Sequence, residues 1–141
     1  MKETIVVSVS DSPAALTAAE VAIDLARQLG AGVRFVTVLP EGSSDRRLKE
    51  YNSHAPRGEM DADIILKHVV ALGAAAGVAV TGVWRRGRVE AEILAEARAV
   101  DATMIVMARV DRPGHTIPTI GSHTMRVLEF SSVPVLVVPS S

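Results

Sequence analysis

Cysteine is absent from the 141 residues, which removes disulfides, thiolate nucleophiles and cysteine-held zinc or iron-sulfur centres and suits a reducing, cytoplasmic setting. Aromatic side chains are scarce, at 3% of a chain that is 48% apolar. The core must therefore be built from Val, Ile, Leu, Met and Ala, and β-branched residues gathered in short blocks favour buried strands over an all-helical bundle. With one tryptophan and one tyrosine there is no repeated stacking platform for single-stranded nucleic acid. Fifteen basic against sixteen acidic residues leave a formal charge of -1, so there is no general electrostatic attraction to nucleic acid or an anionic membrane. No apolar run approaches the roughly 20 residues that span a bilayer. The opening MKETIVVSVSDSP meets polar residues and Pro13 too soon for a signal-peptide core. The expectation is a cytoplasmic protein of one domain, 1–141, with no nucleic-acid partner and no membrane insertion.

What is present alternates. Ile5 to Val9 reads as a strand, and Ser10-Asp11-Ser12-Pro13 as a turn with a helix cap and a proline suited to the first helical turn. Leu16, Ala19, Ala22, Ile23, Ala26 and Leu29 recur at helical spacing until Gly30 stops the helix. Val33 to Leu39 makes the second strand, after a connection long enough for a right-handed parallel crossover. Residues 40–59 are polar and aperiodic and read as a loop. A helical pattern then runs through Met60, Ile64, His68 or Val69, and Leu72 to Gly77, with His68 at the boundary of the buried stripe. Val78 to Trp84 reads as a strand, RRGR as a charged turn, and Val89, Ile93, Leu94 and Ala97 as a helix. Thr103 to Met107 is the fourth strand, Met125, Val127 and Leu128 mark a short helix after Gly121-Ser122, and Val133 to Val138 is the last strand. Pro134 suits a strand beginning or a sheet edge. Five strands alternating with four main helices predict a three-layer α/β sandwich around a mostly parallel sheet.

The chemistry of hydrolases and dehydrogenases is missing. There is no GxxxxGK[ST], no GxGxxG after the first strand, no GxSxG and no HExxH. His115, His123 and Asp111 are spaced too loosely to argue for a metal, and Asp11 with Asp111 lacks the partners of a catalytic carboxylate pair. Neither a catalytic residue nor a metal ligand is nominated. Open α/β sheets do take ligands at the carboxyl ends of their strands. With the first strand central and the fourth beside it, Val9, Ser10 and Asp11 share a crevice with Ala108 and Arg109, and a helix starting at Gly121-Ser122 offers backbone donors to an anion. The structural alternative is that Gly121 relieves a tight approach and Ser122 caps the helix.

Three segments carry a resemblance: IVVSVSDSPAALTAAEVAIDLARQLGAGVRFVTVL, EAEILAEARAVDATMIVMA and GSHTMRVLEFSSVPVLVVP. In order and separation they resemble the universal stress protein family over nearly the whole chain. The resemblance implies an adenine nucleotide alpha hydrolase-like fold with strand order 3-2-1-4-5 and a homodimer formed through the last strand. ATP-binding members carry a first-strand end like VDGS and a later G-x-x-G, nine residues, then Gly-Ser or Gly-Thr. Here Ser10 stands at the aspartate, Asp11 at the glycine, and Ser12 keeps the serine. The later motif runs Ala108, two residues, Asp111, nine residues, Gly121-Ser122. Spacing is kept while two glycines are replaced. The Ala108 methyl fills space that glycine leaves open, and the Asp111 carboxylate opposes a triphosphate by like charge.

The positions that would line such a site are Val9, Ser10, Asp11, Val38, Ala108, Arg109, Asp111, Gly121 and Ser122. The expectation is a nonenzymatic, dimeric stress-response or regulatory module with no cofactor and weak or absent ATP binding. The alternative is a signalling protein of the same family that binds ATP or another adenine nucleotide. A different protein partner at the last strand stays open.

Overall fold

The computed structural model describes residues 3–10, 12–40, 58–109 and 120–139. Along the chain these form β1 (Thr4–Ser8), α1 (Pro13–Leu29), β2 (Gly32–Leu39), α2 (Glu59–Ala75), β3 (Val80–Arg86), α3 (Val89–Ala99), β4 (Met104–Arg109), α4 (Ser122–Phe130) and β5 (Val135–Pro139). The five strands form one sheet in the order β3-β2-β1-β4-β5, and every pairing is parallel. Parallel strands need crossovers, and the helices that supply them cover both faces.

β1 lies at the centre, and its Val6 and Val7 are wholly buried on opposite faces. Under α1 and α2 the core gathers Val7, Phe35, Val69 and Val106; under α3 and α4 it gathers Val6, Val36, Ile93, Ile105 and Val127. Among the described residues Phe35 is the one aromatic ring that is fully buried, so aliphatic packing carries the rest.

α1 is delimited as its turn chemistry requires. The Ser12 hydroxyl accepts a hydrogen bond from the Ala15 amide at 3.1 Å, Pro13 occupies the first turn, and Gly30 closes the helix at φ 69°. Its buried face is almost all alanine, which lets the helix lie close against the sheet. Leu16 and Leu29, expected in that stripe, point outward instead, because a leucine there would hold the helix away from β1 and β4. In α2 the buried stripe is Ala62, Leu66, Val69 and Gly73, not the expected Met60 and Ile64, which face solvent. Close approach explains this too: a Cβ on Gly73 would overlap the Val80 side chain, and one on Gly82 would press on Leu66 and Val70. His68 is exposed on the outer side.

Strand ends agree with the sequence expectation to within two residues, and β2 ends at Leu39 as expected. The largest difference is β3, expected at Val78 to Trp84 and found at Val80–Arg86. Gly77, at φ 77°, belongs to the exit of α2, where the Val78 amide donates back to the Gly73 carbonyl at 3.0 Å. Arg85 and Arg86, expected in a charged turn, are ladder residues opposite Val38 and Leu39. Glutamates on α3 hold Arg85 there: its Nε donates to Glu92 at 2.8 Å and a terminal nitrogen to Glu96 at 2.7 Å. β5 begins after Pro134, whose carbonyl still accepts from the Ile105 amide at 2.9 Å, so Val133 and Pro134 lead into the strand and lie outside it.

Candidate functional site at the carboxyl edge of the sheet

Each strand ends on the same edge, and register decides what meets there. Ser8 lies opposite Val36, and Val7 opposite Val106. The Val9 amide donates to the Val36 carbonyl at 2.9 Å, carrying the β1–β2 pairing past the end of the strand. Continued by two residues, this register sets Ser10 beside Val38 on one side and Arg109 on the other. Pleat alternation sorts the side chains. Val9 and Ala108 pack toward α1 and α2, whereas Val38 packs with the core beneath α3 and α4. Arg109 follows Ala108, so its side chain leaves on the α3–α4 face.

α4 runs back from β4 toward β5 and therefore starts at this edge. Gly121 is its N-cap, in extended conformation at φ -68° and ψ 161°, with no side-chain cap. Ser122, a candidate cap in the sequence, is instead the first helical residue, and it is exposed. The amides of the first turn thus have no capping side chain and point out from the positive end of the helix dipole. Two buried polar atoms near this edge lack a hydrogen-bond partner among the described residues: Arg109 Nε and Thr37 Oγ1. A buried polar group without a partner is costly, roughly 1–3 kcal/mol. Asp11, Asp111, Arg112 and His115 lie outside the described residues. Of the expected positions, the structure gathers Val9, Ser10, Val38, Ala108 and Arg109 at the ends of three adjacent strands, with Gly121 and Ser122 at the helix start of the same edge.

Sequence reasoning missed the cluster beside this helix start. Glu90, in the first turn of α3, is 8% exposed. One carboxylate oxygen lies 2.8 Å from His123 Nδ1 and the other accepts from Arg126 at 3.0 Å, while Arg88 Nε stands 3.8 Å away. Burial alone would raise the Glu90 carboxyl. Its own backbone amide, the hydrogen bonds from His123 and Arg126 and the charge of His123 outweigh that, and hold it down at about 2. His123, weighed in the sequence as a metal ligand, is occupied by this carboxylate. Its spacing of three from Arg126 was the available signal, since the two project from one helix face. A second network pins the opposite edge: Glu96 accepts from Arg34 Nε at 2.8 Å and from Arg85 at 2.7 Å. Burial would raise Glu96, but the bonds and charges of Arg85 and Arg34 keep it below the ordinary carboxylate range. Among the described residues no three His, Asp or Glu side chains gather as metal ligands, and no helix is long and apolar enough to cross a membrane.

The fold recurs in solved structures. A universal stress protein from Archaeoglobus fulgidus aligns with a TM-score of 0.75 and 23% identity over 98% of this chain and 94% of its own. One from the same organism in complex with dAMP aligns with a TM-score of 0.72 and 20% identity, covering 98% of each chain. A universal stress protein in complex with cAMP aligns with a TM-score of 0.72 and 22% identity over 99% of this chain and 98% of its own. Identities this low establish a shared fold. A comparison with curated protein sequences gives no significant match. The model of the universal stress protein family matches residues 1–139, and with strand order, crossovers and the helix start after β4 all in agreement, the chain belongs to that family.

Proposed function

We propose that this protein is a nonenzymatic regulatory module of the stress response, cytoplasmic and homodimeric, that takes an adenine nucleotide weakly at the carboxyl edge of its sheet. The observation that carries the nucleotide reading is Arg109, whose buried Nε has no partner among the described residues at the edge where the uncapped α4 begins. A phosphate there would accept from the guanidinium and from the backbone amides at Ser122 and His123. Relatives of the same fold in complex with dAMP and with cAMP support an adenine ligand. Both ligands carry a single phosphate. That suits a chain with Asp111 in its ligand loop, where a triphosphate would meet like charge.

Calorimetric titration of freshly purified protein with AMP, cyclic AMP and ATP tests the reading, with any co-purifying ligand identified by mass spectrometry. Saturable binding of the monophosphates ahead of ATP is the expected result, weakened about tenfold by Arg109→Ala. No binding of any of the three at millimolar concentration overturns it. ATP binding at micromolar concentration would instead select the second reading, an ATP-dependent signalling protein, which the uncapped donors of α4 favour. The dimer reading rests on β5, which among the described strands pairs only with β4 and exposes Leu136, and on α4, which exposes Met125, Leu128 and Phe130. An open strand edge beside an apolar surface is self-complementary about a two-fold axis.

A further inference from the structure

His123 and Arg126 are the two basic side chains of α4, and one carboxylate of α3 engages both. Arg126 donates to one oxygen of Glu90 at 3.0 Å, and His123 Nδ1 lies 2.8 Å from the other. Arg88 Nε, at the N-cap of α3, stands 3.8 Å from the oxygen that Arg126 holds. The His123 and Arg126 side chains are half-exposed, whereas Glu90 is buried. The negative charge is therefore the member fixed in the interior, where water and salt screen it less than they would at the surface.

The backbone amides of Ser122 and His123 open the same helix turn. The carboxylate thus lies no farther from them than the length of one imidazole side chain and one hydrogen bond. A fixed anion there repels any phosphate bound at those amides, by an amount that grows with the charge of the ligand. It also neutralises Arg126, the permanent cation of α4. We infer that Glu90 is a specificity-determining residue that holds the site to monophosphates, by cancelling the positive charge that would reward a di- or triphosphate. Glu90 touches no ligand and acts through the electrostatic field at the helix start. The inference rests on the nucleotide reading above and deepens it, since it assigns the selection by charge to a residue of α3.

Calorimetric titration of the full chain with AMP, ADP and ATP, at one pH and without divalent cations, tests it. Each nucleotide carries one more phosphate and more negative charge than the last, and the readout is the ratio of ATP to AMP affinity. Glu90→Gln keeps the size of the side chain and removes its charge; it should raise the ratio about two- to fivefold. Arg126→Gln, at a half-exposed position, removes the cation that Glu90 cancels and should lower the ratio by a similar factor. Both substitutions cut the same tie between α3 and α4. A purely structural role would move the two ratios in one direction, or weaken all three nucleotides alike, and either result overturns the inference. Glu129→Gln removes the same charge at the far, exposed end of α4 and should leave the ratio where it is. A rise equal to that of Glu90→Gln would make net charge the cause and overturn the role of Glu90. If Glu90→Gln does not fold, Arg126→Gln carries the test, and an unchanged ratio overturns the inference. Binding with an unmoved ratio in Glu90→Gln removes the selectivity and leaves the nucleotide reading standing. Absence of binding of all three nucleotides, in the parent and in Glu90→Gln, overturns both.

Discussion

Glu90 and Glu96 are buried carboxylates of one helix, and each survives burial because arginine or histidine reaches it from another element. A carboxyl held down at about 2 in the folded chain binds its proton more readily once unfolded, where it titrates near 4.5. The stability it contributes is complete above that unfolded value and is lost as pH falls toward about 2. Urea denaturation between pH 5 and pH 2 should show a steep fall in stability, on the order of 2 to 3 kcal/mol of it from Glu90. Glu90→Gln should flatten that fall; an equally steep profile in the variant would show that other carboxylates govern acid unfolding. None of this was legible in EAEILAEARA, which reads as an ordinary amphipathic helix. The partners of Glu96 come from positions as far as 62 residues away in sequence, and only the parallel register of β2 and β3 delivers them.

Elements were legible where their ends have local chemistry. Ser12, Pro13 and Gly30 delimit α1 by a hydroxyl acceptor, a fixed φ and a left-handed backbone, all local properties. Ser12→Ala should lower stability by about 1 kcal/mol, measurable as a drop in Tm, because the Ala15 amide loses its side-chain acceptor. An unchanged Tm would mean that solvent satisfies that amide equally well. Which helical face would be buried was harder to read. Hydropathy favours Leu16, Met60 and Ile64, whereas the sheet accepts alanine and glycine where backbones approach closely. The strand register of Arg85 and Arg86 was hidden for a similar reason: charge suggests a turn until a glutamate on a crossing helix neutralises it.

At the scale of the whole molecule, β3 and β5 are the two edges of the sheet. β3 is braced by Arg34, Arg85 and the glutamates of α3. Among the described strands β5 pairs on one side alone, and its Leu136 is 37% exposed, while Phe130 at the end of α4 is 66% exposed. Sedimentation should find a dimer for the parent chain and a monomer for Leu136→Lys, since a lysine on the edge would bury its charge in the pairing. A parent that stays monomeric across useful concentrations removes the dimer, and the apolar edge would then await a different partner.

The alternation of five strands and four helices, their order along the chain, and the place of a helix start after β4 were all determined by sequence alone. Each depends on local periodicity, on cap residues and on spacing along the chain. Tertiary structure decided that Gly121 and not Ser122 precedes the helix, that Arg109 Nε is buried at the carboxyl edge, and that Glu90 gathers His123 and Arg126. The reason is physical: burial and ion pairing across crossovers are properties of which elements become neighbours, and a sequence holds them only through the fold.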